Sequence, residues 1–347
     1  VNRLHSNAST PARQKMLAAV VGFLLAQIFQ VAPLLAGKAS HGAFGPEGPR
    51  MREQLWLLPS GDPEAPLRAT LFRPARSNGP HRYPLVVINH GTDEATRLSV
   101  SMPVYYWLSR WFVERGYAVL LPQRRGHGAT GGPLAEAAGN CDSPEHRESG
   151  LRAARDLSTA IRFMQSQPFI EPEHIVAAGV STGGWASLAL ASLDPTLVKG
   201  VINFAGGRGG HAYGYRNAVC GESELVAAAG AYAANASAVP TIWFYSRNDS
   251  FFGPELATRM ARAWRENGGT VEANILPAYN NEGHNIADDR AGWDLWGARL
   301  DGFIAQVSTG QRAPEVAEVV RPQPDMDDRG DTSERPTPAS LVVPSGE

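Results

Sequence analysis

The chain has 347 residues, 43% of them hydrophobic, enough to bury one large core and to make a single α/β domain the default. A formal net charge of −2 provides no basic field of the kind that holds nucleic acid. Only two cysteines are present, Cys141 and Cys220, so a disulfide-scaffolded fold is excluded.

The amino-terminal segment carries Arg3, Arg13 and Lys15, and no acidic residue precedes Glu47. An apolar run over residues 16–26 follows, then the small residues Ala36, Ala39 and Ser40. This order predicts a secretory signal over residues 1–39, a catalytic domain over 40–307 and no stable membrane insertion after cleavage. An uncleaved anchor reaching Ala36 is the alternative, which Gln27, Gln30 and Pro33 disfavour. Export would place the chain in a periplasmic or extracellular setting where Cys141 and Cys220 pair; two buried thiols are the other possibility.

Residues 51–58 and Leu67–Phe72 alternate as strands around a turn at 59–66, and residues 84–89 form a continuous apolar strand. A helix over 104–115 ends at Gly116 and is followed by a strand at 117–121 and a long helix at 145–165. A strand at 174–180 leads into a small-residue helix, then a strand at 198–204 and an Ala-rich helix at 223–235. Strands at 241–245 and 271–276 flank a helix at 254–267, and a helix over 289–307 closes the domain. This alternation predicts a mostly parallel sheet of about eight strands with helices on both faces. Residues 308–347, rich in Pro, Asp, Arg and Ser, read as a disordered tail.

Gly179-Val180-Ser181-Thr182-Gly183 sits between a strand and a helix, where G-x-S-x-G makes an exposed nucleophile of the serine. Ser181 needs a base, and His284, in the loop after the last strand, is the candidate; the plainer reading is a surface histidine. Asp249, one strand earlier, is the acid that would orient it. Asp194 competes, while Asp288 and Asp289 read as caps of the final helix. The amides of Thr182 and Thr92 would form the oxyanion hole, with Gly91 as the alternative second donor. His90 reads as structural.

Other patterns carry less. Gly126-His127-Gly128-Ala129-Thr130-Gly131 matches G-x-G-x-x-G, but Gly132-Pro133 follows where a dinucleotide site needs a helix. His127, Cys141 and His146 have no zinc spacing, and neither metal nor cofactor is expected. Trp185, Phe251 and Phe252 are candidate pocket residues beside a usual core role. Arg208 and Arg247 either receive a carboxylate or are simply solvated.

The chain resembles the α/β-hydrolase superfamily, in its dienelactone hydrolase and prolyl oligopeptidase-like branch. His90-Gly91-Thr92, Arg124-Arg125-Gly126-His127-Gly128 with Gly131, the Ser181 elbow, Asp249 and Gly283-His284 carry the resemblance over residues 67–304. It implies an α/β-hydrolase fold with a minimal lid, and a structural role for Arg125 and Gly126 beside the site. The serine at position 181 argues against inheriting the lactone specificity of the cysteine enzymes. The expected function is an exported serine hydrolase acting on a small-molecule carboxylic ester. A peptidase or amidase using the same residues, or a non-catalytic protein of the same fold, are the alternatives.

Overall fold

The apolar runs that lack polar alternation form the centre of a sheet covered on both faces, as strands of that composition must. The structure, a computed structural model, describes residues 40–75, 81–92, 95–99 and 101–309. The expected signal segment and nearly all of the expected tail lie outside the described residues.

The strands are β1 (Gly42–Phe44), β2 (Gln54–Leu58), β3 (Leu67–Phe72), β4 (Tyr83–Asn89), β5 (Ala118–Gln123), β6 (Ile170–Val180), β7 (Gly200–Phe204), β8 (Thr241–Ser246) and β9 (Val271–Leu276). They form one sheet in the order β1-β2-β3-β5-β4-β6-β7-β8-β9. β1, β2 and β3 are antiparallel, β3 meets β5 antiparallel, and every pairing from β5 to β9 is parallel. The chain runs outward from β4 to β5 and returns to the opposite side of β4 as β6. Ligands in open α/β sheets bind at such a reversal, beyond the carboxyl ends of the strands. Asn89 and Val180, the last residues of β4 and β6, lie at that crevice.

Side-chain alternation sorts the strands between two cores. Leu85 and Val87, Ala118 and Leu120, Ile175 and Ala177, and Trp243 and Tyr245 face helices α2 (His146–Gln165), α3 (Thr182–Leu193), α4 (Glu222–Ala236) and α5 (Pro254–Glu266). Val86 and Ile88, Val119 and Leu121, Ile202 and Phe204, and Ile242 and Phe244 face α1 (Tyr106–Val113) and α6 (Trp293–Thr309). Trp296 on α6 meets Trp111 of α1 at 5.6 Å and Phe204 of β7 at 5.3 Å, edge to face. Each such buried side chain contributes about 1.5–3 kcal/mol by leaving water.

The departures from the sequence reading larger than two residues are four. β1 was not expected, because three partly exposed edge residues show no alternation. Met51 and Arg52 take positive φ (49° and 51°) in a turn, so β2 starts only at Gln54. β6 begins at Ile170, its register against β4 shifting between Tyr83 and Leu85. α6 begins at Trp293, after two short 3-10 turns. Asp288 therefore caps no part of α6; its Oδ1 accepts from the Trp107 and Leu108 amides at the start of α1, at 2.8 and 3.2 Å. Asp289 caps the second short turn through the Ala291 amide.

The crossing of α3 over β4 needs glycine. A Cβ built on Gly183 would lie 2.1 Å from the Asn89 oxygen and 2.5 Å from that of His90, both backbone. Gly183→Ala is expected to destabilise the fold by about 2–3 kcal/mol, since backbone must move to admit the methyl group. Urea unfolding of both proteins measures it.

Candidate active site

Ser181 joins β6 to α3 with φ 57° and ψ −127°, a conformation that costs a residue with a side chain about 1–3 kcal/mol. Its surroundings impose it. The Ser181 amide donates to Phe204 O at 3.0 Å, and its carbonyl accepts from the Trp185 and Gly207 amides at 3.1 and 3.3 Å. Gly179 and Gly184 leave no room for a Cβ, which would meet Gly183 O and Asn203 Oδ1, each at 2.2 Å. The serine is thereby lifted out of the sheet at the amino end of α3.

His284, 7% exposed, opens the turn after β9, and Asp249, 2% exposed, follows β8. His284 Nδ1 hydrogen-bonds Asp249 Oδ2 at 3.1 Å and Oδ1 at 3.2 Å. Asp249 Oδ1 also accepts the Phe251 and Phe252 amides at 2.8 and 3.0 Å, which holds the carboxylate in one orientation. With Nδ1 engaged, Nε2 is the imidazole nitrogen left for a substrate-side proton. Ser181 Oγ makes no hydrogen bond among the described residues, so the acid–base contact is formed and the serine–base contact is open. Asp194 lies at the far end of α3, bound to Arg162 and Thr196. It is remote from this cluster.

The loop after β4 lies against the elbow: a Cβ on Gly91 would sit 3.2 Å from Ser181 Cβ. The Gly91 amide donates to the Tyr105 hydroxyl at 3.1 Å and so is already engaged. The amides of Thr92 and Thr182 have no partner among the described residues, while their hydroxyls meet at 3.0 Å. Among the described residues, two N–H groups flanking the contact of these loops are thus left without a partner.

What holds this loop was not found in the sequence. Arg124 is 1% exposed; it donates to Glu136 Oε2 and Oε1 at 3.0 and 3.1 Å, and to His90 O at 2.5 Å. It also reaches the hydroxyls of Thr92 and Thr182 at 3.0 and 3.2 Å. Glu136 in turn accepts from Thr92 Oγ1 at 2.7 Å. Burial opposes the Glu136 charge, but the Arg124 charge and hydrogen bonds outweigh it and hold the carboxyl down to about 2. Burial and the same guanidinium push His90 well below the usual imidazole range. His90 is then neutral, accepting the Arg124 amide at Nε2 (3.1 Å) and donating from Nδ1 to Gly91 O (2.7 Å). Arg125, for which the resemblance implies a structural role beside the site, pairs with Asp156 and Asp62 at 2.7 and 3.2 Å. Gly126 does have a local reason: at φ 84°, a Cβ there would lie 2.4 Å from Leu134 Cα. Glu136 stands among alanines at 135, 137 and 138, where nothing in the sequence marks a buried partner.

Of the three pocket candidates, Trp185 is corrected. It is 1% exposed in the core, tilted against Tyr232, with its indole N–H on His146 O at 2.8 Å. It packs against α2 and α4 because α3 is buried on nearly every side, so its fourth residue meets neighbouring helices rather than the cleft. Phe251 stacks on His284 at 4.3 Å, and Phe252 lies tilted at 5.7 Å. Arg247 is exposed and borders a cavity of about 510 Å3 shared with Arg216 and Arg259. The glycine run at 126–131 contains only the short 3-10 turn Gly128–Thr130, with no helix opening at the third glycine.

Cys141 and Cys220 form a disulfide across 79 residues, joining the loop after β5 to the loop after β7. His146 Nε2 donates to Cys220 O at 2.8 Å, and the Tyr213 hydroxyl donates to Asp142 across the same seam.

Two outcomes follow for stability. Glu136 has a folded-state pKa depressed from 4.5 to about 2, so its contribution is present above about pH 4.5 and is lost as pH falls towards 2. Glu136→Gln should cost on the order of 3 kcal/mol near neutrality, and the gap from wild type should narrow through that window in urea unfolding. Reducing the disulfide should lower stability by at most about 4.5 kcal/mol, and non-reduced peptide mapping should recover Cys141 linked to Cys220.

The sequence profile of the prolyl oligopeptidase family matches residues 103–311, more than half of the chain. Among solved structures, the chain is similar to an acylaminoacyl peptidase of Pyrococcus horikoshii, with TM-score 0.51 and 15% identity, over 74% of this chain and 41% of that one. It is similar to an acetyl xylan esterase of Paenibacillus sp. R4, with TM-score 0.52 and 16% identity, over 77% and 87%. A puromycin-hydrolyzing peptidase of Mycobacterium tuberculosis gives 0.51 and 16%, over 76% and 40%. The chain spans about two fifths of the length of the two peptidases, and these likenesses concern the fold. The profile match, the reversed parallel sheet and the serine elbow together place the chain in the prolyl oligopeptidase family of the α/β-hydrolase superfamily, with serine at the nucleophile position.

Proposed function

We propose that this chain is an exported serine hydrolase that cleaves a carboxylic ester through an acyl-enzyme. One observation carries the reading. A serine held in a strained elbow at a helix amino end shares its sheet edge with an imidazole already bonded to a buried carboxylate. Ser181 Oγ attacks the carbonyl carbon while His284 Nε2 takes its proton, a contact that commonly tightens only with substrate in place. Asp249 holds the imidazole tautomer and stabilises the imidazolium. The Thr92 and Thr182 amides receive the oxyanion, each contributing about 3 kcal/mol of transition-state stabilisation. His284 then returns the proton to the leaving alcohol, and water repeats the sequence to free the acid.

A cavity of about 200 Å3 beside Gly91, lined by Met102, Pro103 and Val104 together with the polar Ser101, Gln123 and Asp288, supports a small substrate group. It is below the roughly 300–1,000 Å3 typical of drug-sized ligands. The Cys141–Cys220 bond fits an oxidising compartment. Among the described residues no helix is long and apolar enough to cross a membrane.

A chain-length series of p-nitrophenyl esters beside peptide p-nitroanilides tests the reading. Short-chain esters should turn over fastest, anilides should lag, and Ser181→Ala should lose about 10⁴-fold or more in kcat. Faster cleavage of the anilides would move the assignment to a peptidase. Undiminished activity in Ser181→Ala would remove the serine mechanism.

A further inference from the structure

The acid and the base of the proposed site come from different loops, and a second carboxylate ties those loops together. Glu282 Oε1 accepts the Ser250 amide and the His284 amide, both at 3.1 Å, and Oε2 accepts the Ser250 hydroxyl at 2.5 Å. Ser250 directly follows Asp249, so one side chain grips the residue next to the acid and the backbone of the base. The grip extends to the loop after β7. His211 Nε2 hydrogen-bonds Ser250 Oγ at 2.9 Å, and Arg216 pairs with Glu282 at 3.1 Å. The His211 ring stacks on Phe251 at 3.6 Å, and the opposite side of the cluster is closed by Phe251 on His284. That loop is itself anchored by the disulfide at Cys220.

We propose that Glu282 is a positioning residue for the reaction assigned above, holding the Asp249 and His284 loops in one register. The inference rests on that reading of the site. Asn248 also joins the two loops, through Tyr279 and Asn280, but without the carboxylate the Ser250 and His284 amides, next to the acid and on the base, would be left unpaired.

Glu282→Ala and Glu282→Gln are compared with wild type, each normalised to the serine labelled by a fluorophosphonate. In the alanine protein kcat per labelled serine should fall about 10–100-fold with KM little changed, since reacting groups displaced by an ångström lose rate in that range. The glutamine protein keeps the acceptor for both amides, so most of kcat should return. A carboxylate that only supported folding would lower the labelled fraction while leaving kcat per labelled serine in place, and that result overturns the proposal. If the alanine protein does not fold, Glu282→Asp, one methylene short of the span between the two amides, decides by the same ratio. Wild type that fails to label at Ser181 overturns the serine hydrolase reading itself, an outcome separate from any property of the variants.

Discussion

The left-handed turn at Ser181 is the constraint around which the rest is organised. It requires α3 to start directly at the end of β6, which forces the helix backbone against the loop after β4. Only glycine at 179, 183 and 184 leaves space for that approach. Hydrogen bonds from Ser181 to the β7 edge hold the turn, so its strain is borne by a sheet that is buried on both faces. The same closeness brings Gly91 against the serine and brings the hydroxyls of Thr92 and Thr182 together. One backbone conformation thus sets both the nucleophile's exposure and the position of the loop beside it.

Holding that loop falls to a buried ion pair. Arg124 and Glu136 give up water, and the exchange is sustained because nearly every donor and acceptor of the pair has a partner. Their partners are the His90 carbonyl and the hydroxyls of Thr92 and Thr182, the two residues whose amides are proposed to receive the oxyanion. An apolar pair of equal size would pack as well but would not orient these groups. Specific orientation, rather than added stability, is what the charges supply. On the opposite side of the serine, the Phe251 ring and the Ser250–Glu282 bonds give the imidazole a comparably fixed seat.

The disulfide joins the loops after β5 and β7. Solved structures of a peptidase and of an esterase share this fold, so the architecture by itself does not choose between the two activities. In the proposed reading that choice falls to side chains on these loops and around the small cavity beside Gly91.

The α/β alternation, the turn at Ser181, and the placement of Asp249 and His284 just past their strands were legible in the sequence because each is local: a hydrophobic period, a glycine pattern, a residue just past a strand. The pairing of Cys141 with Cys220 was legible for a different reason, since two cysteines admit only one partner each. Arg124 with Glu136, and Glu282 with Ser250, were not legible. Neither pair has a spacing that marks it, and Glu136 sits in an alanine-rich stretch like many solvated glutamates. Trp185 and Asp288 were placed on the wrong surfaces for the same reason: which way α3 turns, and which helix end lies beside residue 288, are settled by packing. Local patterns determine which backbone forms and where a reactive side chain can stand. Burial of a charge, and the choice of its partner, depend on segments far apart in the chain meeting in a low-dielectric space, and only the tertiary structure decides that.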